Sequence, residues 1–222
     1  MEIIIISLGG SLIIPDDIDI DFLRKFRNLI LKQEKRFVII TGGGKVCRKY
    51  QEATKKLIDA NTEDLDWIGV ASTKLNAELL RVIFENKAHD KIIKNPTLPI
   101  KSDKPIIIAS GWKPGFSSDM DAVLIAKSID VKTIINMTNI NYVCNKDPNK
   151  FKDAKPVKKI DWKGFRKLVG DEWNPGSNLP FDPIASKEAE KLKLKVIILN
   201  GNNLKNLEKF LNGNEFIGTT IR

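Results

Sequence analysis

The 222 residues suffice for one α/β domain or two closely fused lobes, with a substantial core and no need of covalent staples. Hydrophobic residues at 42% and charged residues at 29% exclude extended disorder, and apolar runs that break within about six residues exclude a membrane-spanning helix. The net charge of +9 allows an acidic macromolecule or a site that gathers several phosphate charges; with lysines interleaved among acids and aromatics at only 7%, nucleic acid is the weaker reading.

Met1 is followed at once by Glu2 and a strand-like run at 3–6, too short for a signal core and without a basic leader, so no export signal is expected. Comparable runs of branched residues recur at 37–40, 106–109, 133–136 and 196–199, each bounded by Gly, Asn, Lys or Ser, and read as buried parallel strands. Helical periodicity fills the gaps. Phe22, Phe26, Leu29 and Ile30 mark one apolar face, and Leu75, Leu79, Leu80 and Ile83 mark another. Such alternation predicts right-handed β-α-β crossovers and hence a three-layer α/β/α sandwich with a mainly parallel central sheet. A soft boundary within 105–130 divides the single domain, 1–222, into an N-terminal lobe to about residue 130 and a C-terminal lobe over 131–222. Cys47 and Cys144 lie far apart and outside any CxxC pair, which argues against zinc and fits a reducing cytoplasm. The single histidine, His89, has no partner for a triad or a metal and reads as structural.

Three loops after strands carry the chemistry. The first is Ser7-Leu8-Gly9-Gly10-Ser11 and the second Thr41-Gly42-Gly43-Gly44-Lys45. Glycines let backbone amides approach an anion with no Cβ in the way, at the strand ends where helix dipoles also favour phosphate. One Gly-Gly would be a tight turn; two such loops after two strands point to phosphate. Neither fits the dinucleotide or P-loop spacing. Lys45 and Arg48 share one face of the helix that follows, as phosphate ligands or as a solvated basic face. The third loop, Gly111-Trp112-Lys113-Pro114-Gly115-Phe116-Ser117-Ser118-Asp119, offers Trp112 or Phe116 for stacking, serine hydroxyls for bonding, and Asp119 as a helix cap.

In order, these loops with Gly42-Gly43-Gly44-Lys45-Val46-Cys47-Arg48-Lys49-Tyr50, Asp66-Trp67-Ile68-Gly69 with Asn76, Thr138-Asn139 and Asp147-Pro148 resemble the amino-acid kinase superfamily. The GGGK-x-x-R-K-Y string, the spacing from Asp66 to Asn76 and the closing Gly218-Thr219-Thr220-Ile221 are similar to the archaeal-type UMP kinases. The resemblance implies transfer of the γ-phosphoryl group of ATP to UMP, giving UDP and ADP in pyrimidine nucleotide synthesis, with Mg2+ held mainly by phosphates and water. It implies that Gly9, Gly10 and Ser11 hold the transferred group, that Gly44 and Arg48 contact phosphates where the substrates meet, and that Thr138, Asn139, Cys144 and Asp147 hold the adenosine of ATP. For UMP it implies Gly43 at the phosphate, Asp66 at the ribose, and Trp112, Lys113, Pro114, Gly115, Phe116, Ser117 and Ser118 around the nucleoside. Asp182 matches an acid thought to organise the nucleotide end, with plain helix capping as the other reading, and Asp66 likewise divides between ribose and cap. The implied assembly is a homo-oligomer, a hexamer, without nucleic-acid or membrane partners.

The departures fall on cations. Ser7 stands where many relatives carry a lysine, and the segment 174–180 lacks the lysine that others supply before the last long helix, leaving Lys45 as the candidate catalytic cation beside Gly10, Ser11 and Asp182. Lys113 and Phe116 replace histidines, and Ser117-Ser118 a threonine pair. A kinase of the same fold for another small acceptor such as isopentenyl phosphate, and a catalytically silent nucleotide sensor, are the competing readings. Trp173 with Pro175 and Gly176 divides between a lid and a surface loop.

Overall fold

The computed structural model describes residues 2–148, 150–172 and 179–222. The segment before α7 that was expected to lack a lysine, and the Trp173 lid reading, lie almost wholly outside the described residues. In chain order the elements are β1 (Ile3–Leu8), α1 (Gly10–Ile13), α2 (Ile20–Leu31), β2 (Arg36–Thr41), α3 (Gly44–Leu57), α4 (Thr62–Ile83), β3 (Ile106–Ala109), α5 (Ser118–Ser128) and β4 (Thr133–Thr138). There follow β5 (Val143–Cys144), β6 (Pro156–Val157), β7 (Lys159–Ile160), α6 (Trp162–Val169), α7 (Pro183–Lys191), β8 (Lys195–Asn200), α8 (Leu204–Leu211) and β9 (Thr219–Ile221).

The main sheet runs β3-β2-β1-β4-β8-β9-β7. Its first five strands are parallel, β9 is antiparallel to β8, and β5 and β6 form a separate antiparallel pair. All five sequence-predicted strands form, four a little longer than the apolar run and β3 coinciding with it. β1 pairs with β2 on one side and β4 on the other, so the sheet is continuous across the soft boundary.

Successive strand side chains face opposite layers. Ile4, Ile6 and Leu8 enter one core with residues of α1, α2, α4 and α8, while Ile5 enters the other with residues of α5, α6 and α7. That parity turns Ser7 toward the α5 and α7 side. The predicted face of α2 is buried as expected. On α4 the pattern is shifted: Leu80 is fully buried, but Leu75 is 63% exposed, because Val70, Thr73, Asn76 and Ala77 turn inward instead. Polar Thr73 and Asn76 occupy the inner face because the end of β2 and the loops after β2 and β3 lie against this part of the helix, as described next.

Candidate active site

Five parallel strands end on one edge, and the loops after β1, β2, β3, β4 and β8 gather there, as expected for an open α/β sheet. The two glycine loops after β1 and β2 are stacked backbone against backbone. A Cβ on Gly10 would overlap the amide nitrogen of Gly44, and one on Gly42 would stand 2.6 Å from the amide nitrogen of Gly10. Gly44 has φ of +68°, a conformation favourable only to glycine, and a Cβ there would lie 2.5 Å from the carbonyl oxygen of Gly10. Gly42 N–H donates to Leu8 O at 2.9 Å and Lys45 N–H to Ile14 O at 3.1 Å, which locks the loops together. The amides of Gly10, Ser11, Gly43 and Gly44, at the starts of α1 and α3, have no acceptor among the described residues. Four unsatisfied donors on two interlocked loops are arranged so that they could receive an anion without any side chain.

Asn76, from the inner face of α4, supports the second loop: its Nδ2 donates to Gly42 O at 2.8 Å and to Gly43 O at 3.3 Å. Ten residues earlier on the same helix, Asp66 Oδ2 accepts the Gly115 N–H at 2.9 Å. The spacing noticed in the sequence therefore joins two loops to one rigid helix. Asp66 does not cap α4; Asn61 does, through Asp64 N–H.

The third loop is held at three points. Gly111 N–H donates to Thr73 Oγ1 at 2.8 Å, Trp112 N–H to Asp121 Oδ2 at 3.2 Å, and Gly115 N–H to Asp66. Trp112 and Phe116 meet edge to face with centroids 4.9 Å apart, and Lys113 Nζ lies 4.1 Å from the Trp112 ring and 5.0 Å from that of Phe116. Ser117 caps α5 by accepting the Met120 N–H at 3.1 Å. Asp119, expected as that cap, is instead in the first turn: the helix begins two residues earlier than that reading implies, and its carboxylate is used elsewhere.

Ser7 Oγ donates to Asp119 Oδ1 at 3.0 Å, and Asp182 N–H donates to Asp119 Oδ2 at 3.1 Å. Asp119 thus ties β1, α5 and α7 together behind the cradle. Dense surroundings push its pKa up to about 7; the Asp182 N–H opposes the rise, the Asp182 carboxylate adds to it, and the Ser7 hydroxyl opposes it weakly. Asp121 is also pushed up to about 7, first by burial and further by Asp119, against the pull of the Trp112 N–H. Asp182 is the N-cap of α7, its Oδ1 accepting the Ala185 N–H at 2.7 Å, as the capping reading expects of its side chain.

Among the cations, Lys45 lies 3.6 Å from Asp16 Oδ1, both side chains well exposed, and exposed Arg48 has no ion pair among the described residues. At the far end, Thr138 O accepts the Gly201 N–H at 2.8 Å and Asn200 Nδ2 donates to Asn139 O at 3.5 Å. Cys144 lies on β5, and Asp147 O closes the turn before Lys150 and Phe151. The sequence reading missed Thr73 and Asp121. The signal for Asp121 was a charged residue at the head of the apolar run 122–126.

A sequence profile of the amino acid kinase family matches residues 2–200. The uridylate kinase of Thermoplasma volcanium is 34% identical over 233 residues, covering 99% of this chain and 97% of that protein. The uridylate kinase of Sulfolobus acidocaldarius is 33% identical, covering 84% of this chain and 83% of that one. Among solved structures, uridylate kinase from Archaeoglobus fulgidus superposes with a TM-score of 0.82 at 27% identity over the whole of both chains. UMP kinase from Bacillus anthracis, at 20% identity and a TM-score of 0.78 over 100% of this chain and 96% of that one, shares the fold.

Proposed function

The chain belongs to the amino acid kinase family, its activity is that of a uridylate kinase, and we propose that its loops divide that reaction between backbone and side chains. The reaction passes the γ-phosphoryl group of ATP to the α-phosphate of UMP. An oxygen of the UMP phosphate attacks γ-phosphorus in line, the bond from γ-phosphorus to the β,γ-bridging oxygen breaks, and ADP leaves with that electron pair. No general base is needed, because the attacking oxygen is already anionic; positioning and charge neutralisation carry the step.

The observation that supports this division is the set of four partnerless amides at Gly10, Ser11, Gly43 and Gly44 on interlocked loops. Gly9, Gly10 and Ser11 receive the transferred group, Gly43 the UMP phosphate, and Gly44 with Arg48 the oxygens between them. The loop 111–118 and Asp66 take the nucleoside and ribose of UMP, while Thr138, Asn139, Cys144 and Asp147 take the adenosine of ATP. The acceptor lobe to about residue 130 and the ATP lobe over 131–222 follow from this assignment.

Lys45 supplies mobile positive charge, its exposed ion pair with Asp16 being weak enough to exchange for phosphate. Asp119 and Asp182 organise the site from behind. With a pKa near 7, Asp119 sheds much of its charge when phosphates approach, which lessens repulsion where Ser7 provides no cation. Among the described residues no group of three His, Cys, Asp or Glu side chains could hold a metal. Mg2+ would be held mainly by the ATP phosphates and water, and would neutralise phosphate charge there.

We place the activity in the cytoplasm, in keeping with two free cysteines. The assembly is a homo-oligomer, with a hexamer as the expected form; exposed Trp67, Leu75 and Val82 along α4 support self-association. An ADP-release assay with UMP, CMP, AMP and isopentenyl phosphate tests the reading. UMP should be turned over fastest. Turnover confined to isopentenyl phosphate would replace it with the same-fold alternative, and nucleotide binding with no turnover of any acceptor would make the chain a sensor.

A further inference from the structure

Asp121 is fully buried, yet it is the one buried side chain among the described residues that keeps an unpartnered polar atom, Oδ1. Its neighbours along α5 are Ala122, Val123, Ile125 and Ala126, all apolar and buried in the second core. Packing alone would favour another aliphatic residue, because a carboxyl group loses its hydration here and recovers one hydrogen bond on one oxygen. That bond goes to the main chain of Trp112, in the loop assigned to the acceptor.

The other two anchors of this loop, Thr73 and Asp66, both come from α4. Asp121 alone, among the described residues, ties it by a side chain of α5, the helix whose first turn also carries Asp119 and through it Ser7 on β1. The anchored peptide leads straight into the Trp112 ring, against which Phe116 and Lys113 are arranged. Moving the Trp112 N–H would therefore move the whole aromatic cluster relative to the phosphoryl cradle.

We propose that Asp121 is a positioning residue for the acceptor, fixing the Trp112 end of the loop 111–117 to α5 so that the nucleoside is held in register with the glycine cradle. Having no exposed surface, it touches no substrate. The inference rests on the assignment of this loop to UMP.

The test uses the full chain with Asp121→Leu, Asp121→Asn, Asp121→Ala and Phe116→Ala. Leucine fills the buried volume without a buried acid, so Asp121→Leu should keep or raise Tm while KM for UMP rises about tenfold and KM for ATP stays within about twofold. Asparagine still offers an oxygen to the Trp112 N–H, so Asp121→Asn should restore KM for UMP to within about threefold of the parent. Amide exchange of a peptide spanning 110–117 should quicken in Asp121→Leu and Asp121→Ala and not in Asp121→Asn. A lower Tm with both KM values and kcat altered together in Asp121→Leu, or no change in either KM, overturns the proposal. Phe116→Ala separates the premise from the inference. If it leaves KM for UMP unchanged, the loop is not the acceptor site and both fall; if it raises KM while Asp121→Leu does not, only the role of Asp121 falls.

Discussion

The two glycine loops and the third loop solve the same problem, holding a loop still at the end of a strand, by opposite means. The glycine loops are fixed by main chain on main chain, with Gly10 and Gly44 so close that neither tolerates a Cβ. The loop after β3 is fixed by side chains of Thr73, Asp66 and Asp121 reaching from two helices. The first arrangement is rigid and blind to chemistry beyond charge, which suits phosphates common to both substrates. The second can be altered one side chain at a time, which suits the part of the acceptor that has to be told apart.

The largest effect should come from the close packing. Gly10→Ala forces the interlocked loops apart, and kcat should fall at least about a hundredfold, since a displacement of about 1 Å suffices for such a loss. Activity within tenfold of the parent would show that the cradle is not built from these amides. Asp66→Ala removes a charged acceptor from the third loop. KM for UMP should rise about tenfold with KM for ATP unchanged, and a matching rise for ATP would dissolve the contrast between the regions.

Smaller effects sharpen it. Ser7→Lys places an ammonium beside Asp119 and should lower that carboxyl from about 7 by at least about one unit, read by carboxyl NMR titration. An unmoved midpoint would mean that Ser7 does not stand where a lysine could serve. Lys45→Ala should reduce turnover about tenfold while changing stability by no more than about 0.5 kcal/mol, because the pair with Asp16 is exposed.

The acids also predict a pH dependence of stability. Asp121 rises from its ordinary 3.8 to about 7 in the folded chain, so the folded state binds more protons between those values than the unfolded state does. Its contribution is complete below about pH 4 and is lost as pH rises through about 7. Asp121→Asn should flatten that part of the Tm profile. An identical slope in parent and variant would show that this carboxyl is not raised.

How much of this was legible in sequence follows the same contrast. The strands, the sheet class and the glycine loops were readable because each is written locally, as branched runs or as adjacent glycines that only a close backbone approach requires. Asp66 and Asn76 were visible only as a spacing; their targets, Gly115 and Gly42, lie 49 and 34 residues away and become neighbours through the fold. Leu75 looked like core because the helical period fits it, but the loops under α4 favour the hydroxyl and amide of Thr73 and Asn76 on its inner face. Asp119 looked like a cap because an acid stands near a helix start, and Ser117, two residues earlier, took that role. Asp121 stood out only as a charge at the head of an apolar run, and its partner could not be read from sequence because it is a backbone N–H.

The most direct measurement of the central claim is the set of backbone amide shifts on adding a non-hydrolysable ATP analogue and UMP separately. The account predicts that the analogue shifts Gly10, Ser11 and Gly44, and that UMP shifts Gly43 and the amides of 112–118. Shifts from UMP confined to residues 138–147, or from the analogue confined to 112–118, would contradict it.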